Sequence, residues 1–102
     1  MATEKTLQVY TVKKCTSYGM LVYKFSSPSR AGVPDLLVVR PDGVCFFIEV
    51  KHPNKTGRLS VKQLHEIERL KNNNVQVYIV NSREGADRVA ADNAYEAANR
   101  GD

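Results

Sequence analysis

At 102 residues, with 42% hydrophobic and 25% charged residues, the chain has the makeup of one globular domain spanning 1–102, too short to carry a separate recognition module. Its formal net charge of +4 and sequence pI of about 9.2 favour an anionic partner such as a nucleic acid. The polar opening residues lack a secretory pattern and no apolar run approaches the roughly 18 residues of a membrane span, so a cytoplasmic protein is expected.

Thr3 is placed to cap a helix over residues 4–18 that stops at Gly19. At the helical period, Leu7, Tyr10, Cys15 and Tyr18 share one arc, and Glu4 projects into the same arc. An acid in a first turn complements the helix dipole, and its inward position leaves a second role open. Val9 and Val12 fall on the opposite side, as exposed residues or a subunit contact. Residues 20–26 read as a strand, with Leu21, Tyr23 and Phe25 alternating against Met20, Val22 and Lys24. A Ser/Pro/Gly loop over 27–32 follows, and Pro34 opens the next strand, where proline is tolerated.

Two apolar strands, 35–40 and 44–51, flank Pro41-Asp42-Gly43. Proline presets the first turn residue and glycine takes the left-handed bulge position, so a three-residue hairpin loop is predicted. Arg40 then pairs with Val44, and counting outward brings Asp35 opposite Glu49. Directly opposed side chains lie roughly 4.5–5.5 Å apart at Cβ. Asp35, Leu37 and Val39 share a face with Cys45, Phe47, Glu49 and Lys51, while Leu36, Val38, Val44, Phe46, Ile48 and Val50 share the other. Apolar residues on both faces predict a central hairpin covered on both sides. Two like charges about 4 Å apart repel by about 4 kcal/mol at an effective dielectric of about 20. Either one acid keeps its proton or a cation sits between them. Hard Mg²⁺ or Mn²⁺, held by one or two carboxylates with water and phosphate oxygens, fits best, and the Val50 carbonyl is a further oxygen ligand.

Residues 52–59 form a polar loop. Ser60-x-x-Gln63 is a capping box opening a helix with Val61, Leu64, Ile67 and Leu70 at helical spacing, ended by Asn72-Asn73-Asn74. Residues 75–80 make a last strand, expected to run parallel to the third because a helix intervenes. From Arg83 onward an alanine-rich segment reads as helical. The order αβββαβα is an α/β fold with one mixed central sheet flanked by helices. Cys15 and Cys45 are expected as buried free thiols, since their spacing with His52 and His65 matches no zinc module. His52 and His65 read as solvated residues.

A metal between Asp35 and Glu49 suits phosphodiester hydrolysis, with Lys51 leaving the strand on the same face to stabilise charge on the transferring phosphate. Gly32-Val33-Pro34-Asp35 followed by Ile48-Glu49-Val50-Lys51 resembles the PD-(D/E)xK nuclease superfamily, and within it the virus-type replication-repair nuclease (VRR-Nuc) domain. The resemblance covers about residues 4–80 and includes Glu4, Lys24 and the Ser60-x-x-Gln63 helix start. It implies a restriction-endonuclease-like αβββαβ core and Mg²⁺- or Mn²⁺-dependent DNA cleavage. Asp35 and Glu49 would be metal ligands, Lys51 the catalytic lysine and Glu4 an auxiliary acid, with Gln63 supporting the site or contacting DNA. It further implies a homodimer of phage type cutting branched DNA such as Holliday junctions. Lys24, Arg30, Lys55, Arg58 and Lys62 are the candidate phosphate contacts, with Lys13 and Lys14 adding charge. No aromatic ladder for single strands is evident. The rival readings are a DNA-binding module without catalysis and a subunit of a replication or repair complex. Opposed acids that repel phosphate count against a pure binder.

Overall fold

The computed structural model describes residues 3–52 and 58–95. Thr3 and Thr6 cap each other's backbone to start α1 (Glu4–Ser17). β1 (Leu21–Lys24), β2 (Leu36–Val39), β3 (Cys45–Val50), α2 (Val61–Asn72), β4 (Val77–Val80) and α3 (Arg83–Asp92) follow. The sheet order is β1-β2-β3-β4, with the first three strands antiparallel and β4 parallel to β3, the mixed sheet expected from the helix between them.

The hairpin register is the one the turn chemistry dictates. Leu36 pairs with Ile48 and Val39 with Cys45, and the Arg40 N–H donates to the Val44 carbonyl at 2.8 Å. Gly43 takes φ +87°, and its N–H closes the loop on the Arg40 carbonyl at 2.9 Å. One pair beyond Leu36 and Ile48 brings Asp35 alongside Glu49.

The two faces of the sheet differ more than the alternation predicts. Leu36, Val38, Phe46, Ile48, Val50 and Val80 pack with Leu7 and Cys15 of α1 and Ala86, Val89 and Ala90 of α3 in one core. The Tyr10 hydroxyl donates to Asp87 at 2.7 Å, and Arg83 lies 4.9 Å above the Tyr10 ring, so the two helices are also tied across their outer surface. On the other face α2 packs chiefly on the β4 side, where Ile67 and Val77 are buried. Leu21 (57% exposed) and Tyr23 (52%) lie open there, Cys45 and Ile79 are exposed, and Leu37, Val39 and Phe47 are half-buried. The expected double cover is therefore only partial, because a 12-residue helix crossing from β3 to β4 cannot also roof β1 and β2.

Three smaller expectations also change. Cys15 is buried, with its thiol pushed up to about 11 by desolvation, but Cys45 is exposed on the open face. The inward stripe of α1 is Leu7, Thr11 and Cys15, spaced by four; Tyr18 caps the helix and is exposed. Thr11 is tolerated there because its hydroxyl donates to the Leu7 carbonyl at 2.8 Å. The first strand is shorter than 20–26, although the Phe25 N–H still donates to the Asp35 carbonyl at 2.7 Å. Among the described residues, no helix is long and apolar enough to cross a membrane.

The asymmetry predicts unequal mutational costs. Ile48→Ala should lose about 2–5 kcal/mol in urea unfolding, as a fully buried side chain leaving a cavity. Leu21→Ala should stay within about 0.5 kcal/mol of the parent.

Candidate active site

Asp35 enters the site at the head of β2, behind a buried Pro34 that fixes the chain direction. Glu49 comes from the facing position of β3 and is only 1% exposed. Lys51 follows two residues on, held where β3 continues past its last strand residue by an N–H bond to the Val80 carbonyl at 2.8 Å. Its ammonium lies 3.9 Å from Glu49 Oε2.

The same Glu49 oxygen accepts a hydrogen bond at 3.0 Å from Nε2 of Gln63. Gln63 can do this because the capping box fixes its other end: Oε1 accepts the Ser60 N–H at 2.8 Å, and the Ser60 hydroxyl accepts the Gln63 N–H. One residue thus starts α2 and orients the buried acid. The second oxygen of Glu49, Oε1, is buried with no hydrogen-bond partner among the described residues. An ionised oxygen in that state is costly.

The electrostatics follow from this placement. Burial, then the neighbouring Asp35 charge, push the Glu49 carboxyl up to about 7, with Lys51 offsetting part of the rise. Asp35 is raised as well, by desolvation first and the Glu4 charge second, against the pull of Lys51 and Lys24. Glu4, exposed at the start of α1, lines a cleft of about 390 Å³ with Gln8, Lys24, Phe25, Ser26 and Asp35.

A second clamp sets the approach to Asp35. Gly32 has φ +85° and lies so close to the start of α2 that a Cβ would stand 2.6 Å from the Lys62 carbonyl oxygen and 2.9 Å from the Gln63 nitrogen. Arg30 reinforces the contact through an ion pair to Glu66 at 3.1 Å. The loop before Asp35 is thereby docked on the helix that carries Gln63.

Of the candidate phosphate contacts, Lys24 lines the cleft, Arg58 and Lys62 are exposed, and Arg30 is engaged with Glu66; Lys55 lies outside the described residues. Lys14 pairs with Asp87 at 3.7 Å. His52 is half-buried and His65 exposed. Gln8 escaped the sequence reading, and Gly32 entered it only as a loop residue and as part of the Gly32-Val33-Pro34-Asp35 motif. Gln8 follows Glu4 by one helical turn, a spacing that could have flagged it, whereas nothing local marks the contact of Gly32 with α2.

The donor chemistry is that of a hard cation. No three His, Cys, Asp or Glu side chains among the described residues form a ready cage. Two adjacent carboxylates with one buried oxygen unmatched do fit an ion that takes its remaining ligands from backbone, water and phosphate, as Mg²⁺ commonly does.

Comparison with known proteins bears on the fold and the family. The VRR-NUC domain model matches residues 11–84. A protein named "Putative nuclease p44" from Acyrthosiphon pisum secondary endosymbiont phage 1 is 36% identical over 81 residues, which is 79% of this chain and 85% of that protein. A solved structure titled "VRR_NUC domain" superposes with a TM-score of 0.81 at 34% identity, covering 93% of this chain and all of the other.

Two outcomes are expected. Because the folded protein holds the Glu49 proton up to about pH 7 while an unfolded glutamate releases it near 4.5, this group lowers the stability of the metal-free protein as pH rises across that window. Glu49→Gln should therefore flatten the fall and raise the melting temperature at pH 8 by several degrees; a parent whose melting temperature rises over the window, with no gain in the variant, contradicts the assignment. Gly32→Ala should cost about 1–3 kcal/mol by denaturant unfolding, from backbone strain and the clash with α2.

Proposed function

The chain belongs to the VRR-NUC family and is a nuclease domain, and from that premise we propose that it is a metal-dependent DNA endonuclease acting on branched duplex. The observation that carries the metal is Glu49, buried beside Asp35 with Oε1 unmatched. Asp35, Glu49 and the Val50 carbonyl would hold Mg²⁺ or Mn²⁺, with Glu4 as an auxiliary acid at the cleft. When bound, such an ion supplies Lewis-acid polarisation of a phosphate oxygen and lowers the pKa of water.

The chain's own residues supply the rest. Gln63 holds the Glu49 carboxylate in one orientation, so that the acid need not reorganise during the reaction. Lys51, only partly exposed and 3.9 Å from Glu49 Oε2, would offer a positive charge to the phosphate as it gains negative charge in the pentacoordinate transition state. Lys24, Arg58 and Lys62, with Arg30 and Lys55, would meet backbone phosphates and so bind by charge and shape rather than by base sequence. Cutting both strands of a junction symmetrically requires two sites related by a two-fold axis, which supports a homodimer. Leu21 and Tyr23 provide exposed apolar surface that such a pairing could cover.

Incubation with a labelled four-way junction and with linear duplex, in Mg²⁺, Mn²⁺ or EDTA, tests this reading. Metal-dependent cutting that favours the junction is expected, with a dimer in sedimentation; binding without cutting in any metal would make the protein a DNA-binding module. Lys51→Ala should reduce cleavage by on the order of 10²-fold or more while most binding remains.

A further inference from the structure

The cleft at Asp35 continues along α1. Gln8 and Lys24 line both that cleft and a neighbouring groove of about 260 Å³, whose other lining residues are Lys5, Val9, Val12 and Lys13. The charge changes sign along this path. The cleft carries Glu4 and Asp35 with a single lysine, whereas the groove carries three lysines and no acid.

Lys5, Lys13 and Lys24 are exposed and form no ion pair among the described residues. Lys14, one residue from Lys13, is instead paired with Asp87. Positions 5, 9 and 13 share the face of α1 turned away from the buried stripe of Leu7, Thr11 and Cys15, and half-buried Val12 borders it, packed against the core. The helix is anchored behind this face by its core contacts and by the Tyr10–Asp87 hydrogen bond.

We propose that this groove seats the DNA strand flanking the scissile phosphate, with Lys5 and Lys13 neutralising backbone phosphates beyond the one that Lys24 meets. The proposal rests on the nuclease reading above and extends it to a track that leaves the cleft along α1. Lys5 and Lys13 are eight residues apart, about 12 Å along the helix axis. That span matches three to four nucleotide rises of about 3.4 Å each. Exposed Val9, with the half-buried edge of Val12, gives the groove an apolar stretch between the two charges, suited to deoxyribose. Lysines on such a track read charge, so the contact adds affinity without sequence preference.

The test compares wild type with Lys5→Ala/Lys13→Ala, binding a labelled junction by fluorescence anisotropy over a salt series, in a Lys51→Ala background to suppress cutting. The slope of log K against log salt should shallow by about 1.8, at about 0.9 per phosphate lost. Lys5→Arg/Lys13→Arg should restore it, and Lys71→Ala, beside Asn74 and Val75, should leave it unchanged. With Lys51 intact, cleavage at saturating DNA should change by less than about threefold, since the lost contacts hold the substrate equally before and during reaction. Lys5→Gln/Lys13→Gln provides a second variant, and melting curves establish that each is folded. An unchanged slope in folded variants, while wild type binds and cuts, would overturn the track and leave the nuclease intact. A dimer that becomes monomeric with the slope unchanged would make this face a subunit contact instead. Wild type that neither binds nor cuts would remove both readings together.

Discussion

Two carboxylates placed side by side on a hairpin whose other face is core set the terms for everything around them. The register leaves Asp35 and Glu49 no independent freedom, because sliding one strand by a residue would turn Leu36, Val38, Phe46 and Ile48 out of the core. The apolar face of the sheet therefore maintains the electrostatic conflict on the other. Lys51 cannot resolve it, standing 3.9 Å from one oxygen of one acid. What results is a site whose unliganded form keeps a proton near neutrality, held by the same packing that stabilises the domain.

The sheet divides labour between its faces. α1 and α3 close one face, while α2 covers only part of the other and uses its first turn for Gln63 and the Gly32 contact. The site is thus bounded by three separately anchored pieces: the hairpin, the start of α2 and the start of α1. α1 spans both roles, burying Leu7, Thr11 and Cys15 inward while holding Lys5, Val9 and Lys13 outward. Its tie to α3 through Tyr10 and Asp87 anchors α1 without spending Lys5 or Lys13 on ion pairs.

Features encoded by short-range chemistry were legible in the sequence. Pro41-Asp42-Gly43 determines a register, and that register places Asp35 by Glu49; Ser60-x-x-Gln63 determines a helix start, and the same glutamine then reaches the acid. Features that depend on where one element lands against another were not. The half-open sheet face follows from the limited reach of α2, which strand alternation does not encode, so Cys45 looked buried and the hairpin looked covered on both faces. Gly32 reads as a loop glycine until the Lys62 carbonyl is beside it. Thr11 was overlooked because its polarity hides a hydroxyl satisfied within its own helix.

The charge count around the cleft links cation and substrate. Glu4, Asp35 and Glu49 face Lys24 and Lys51, three acids to two bases, so the cluster balances only with one acid protonated. A phosphate entering a fully ionised cleft would meet net negative charge, whereas one approaching the Lys5–Lys13 face would meet only positive charge. An ion that neutralised the acids would remove the repulsion at the centre while leaving the flank attractive. By linkage, DNA bound at the flank with a phosphate over the acids would in turn tighten cation binding. Cation affinity and DNA affinity would then rise together, a coupling that follows from the excess of one acid over the bases and from its burial.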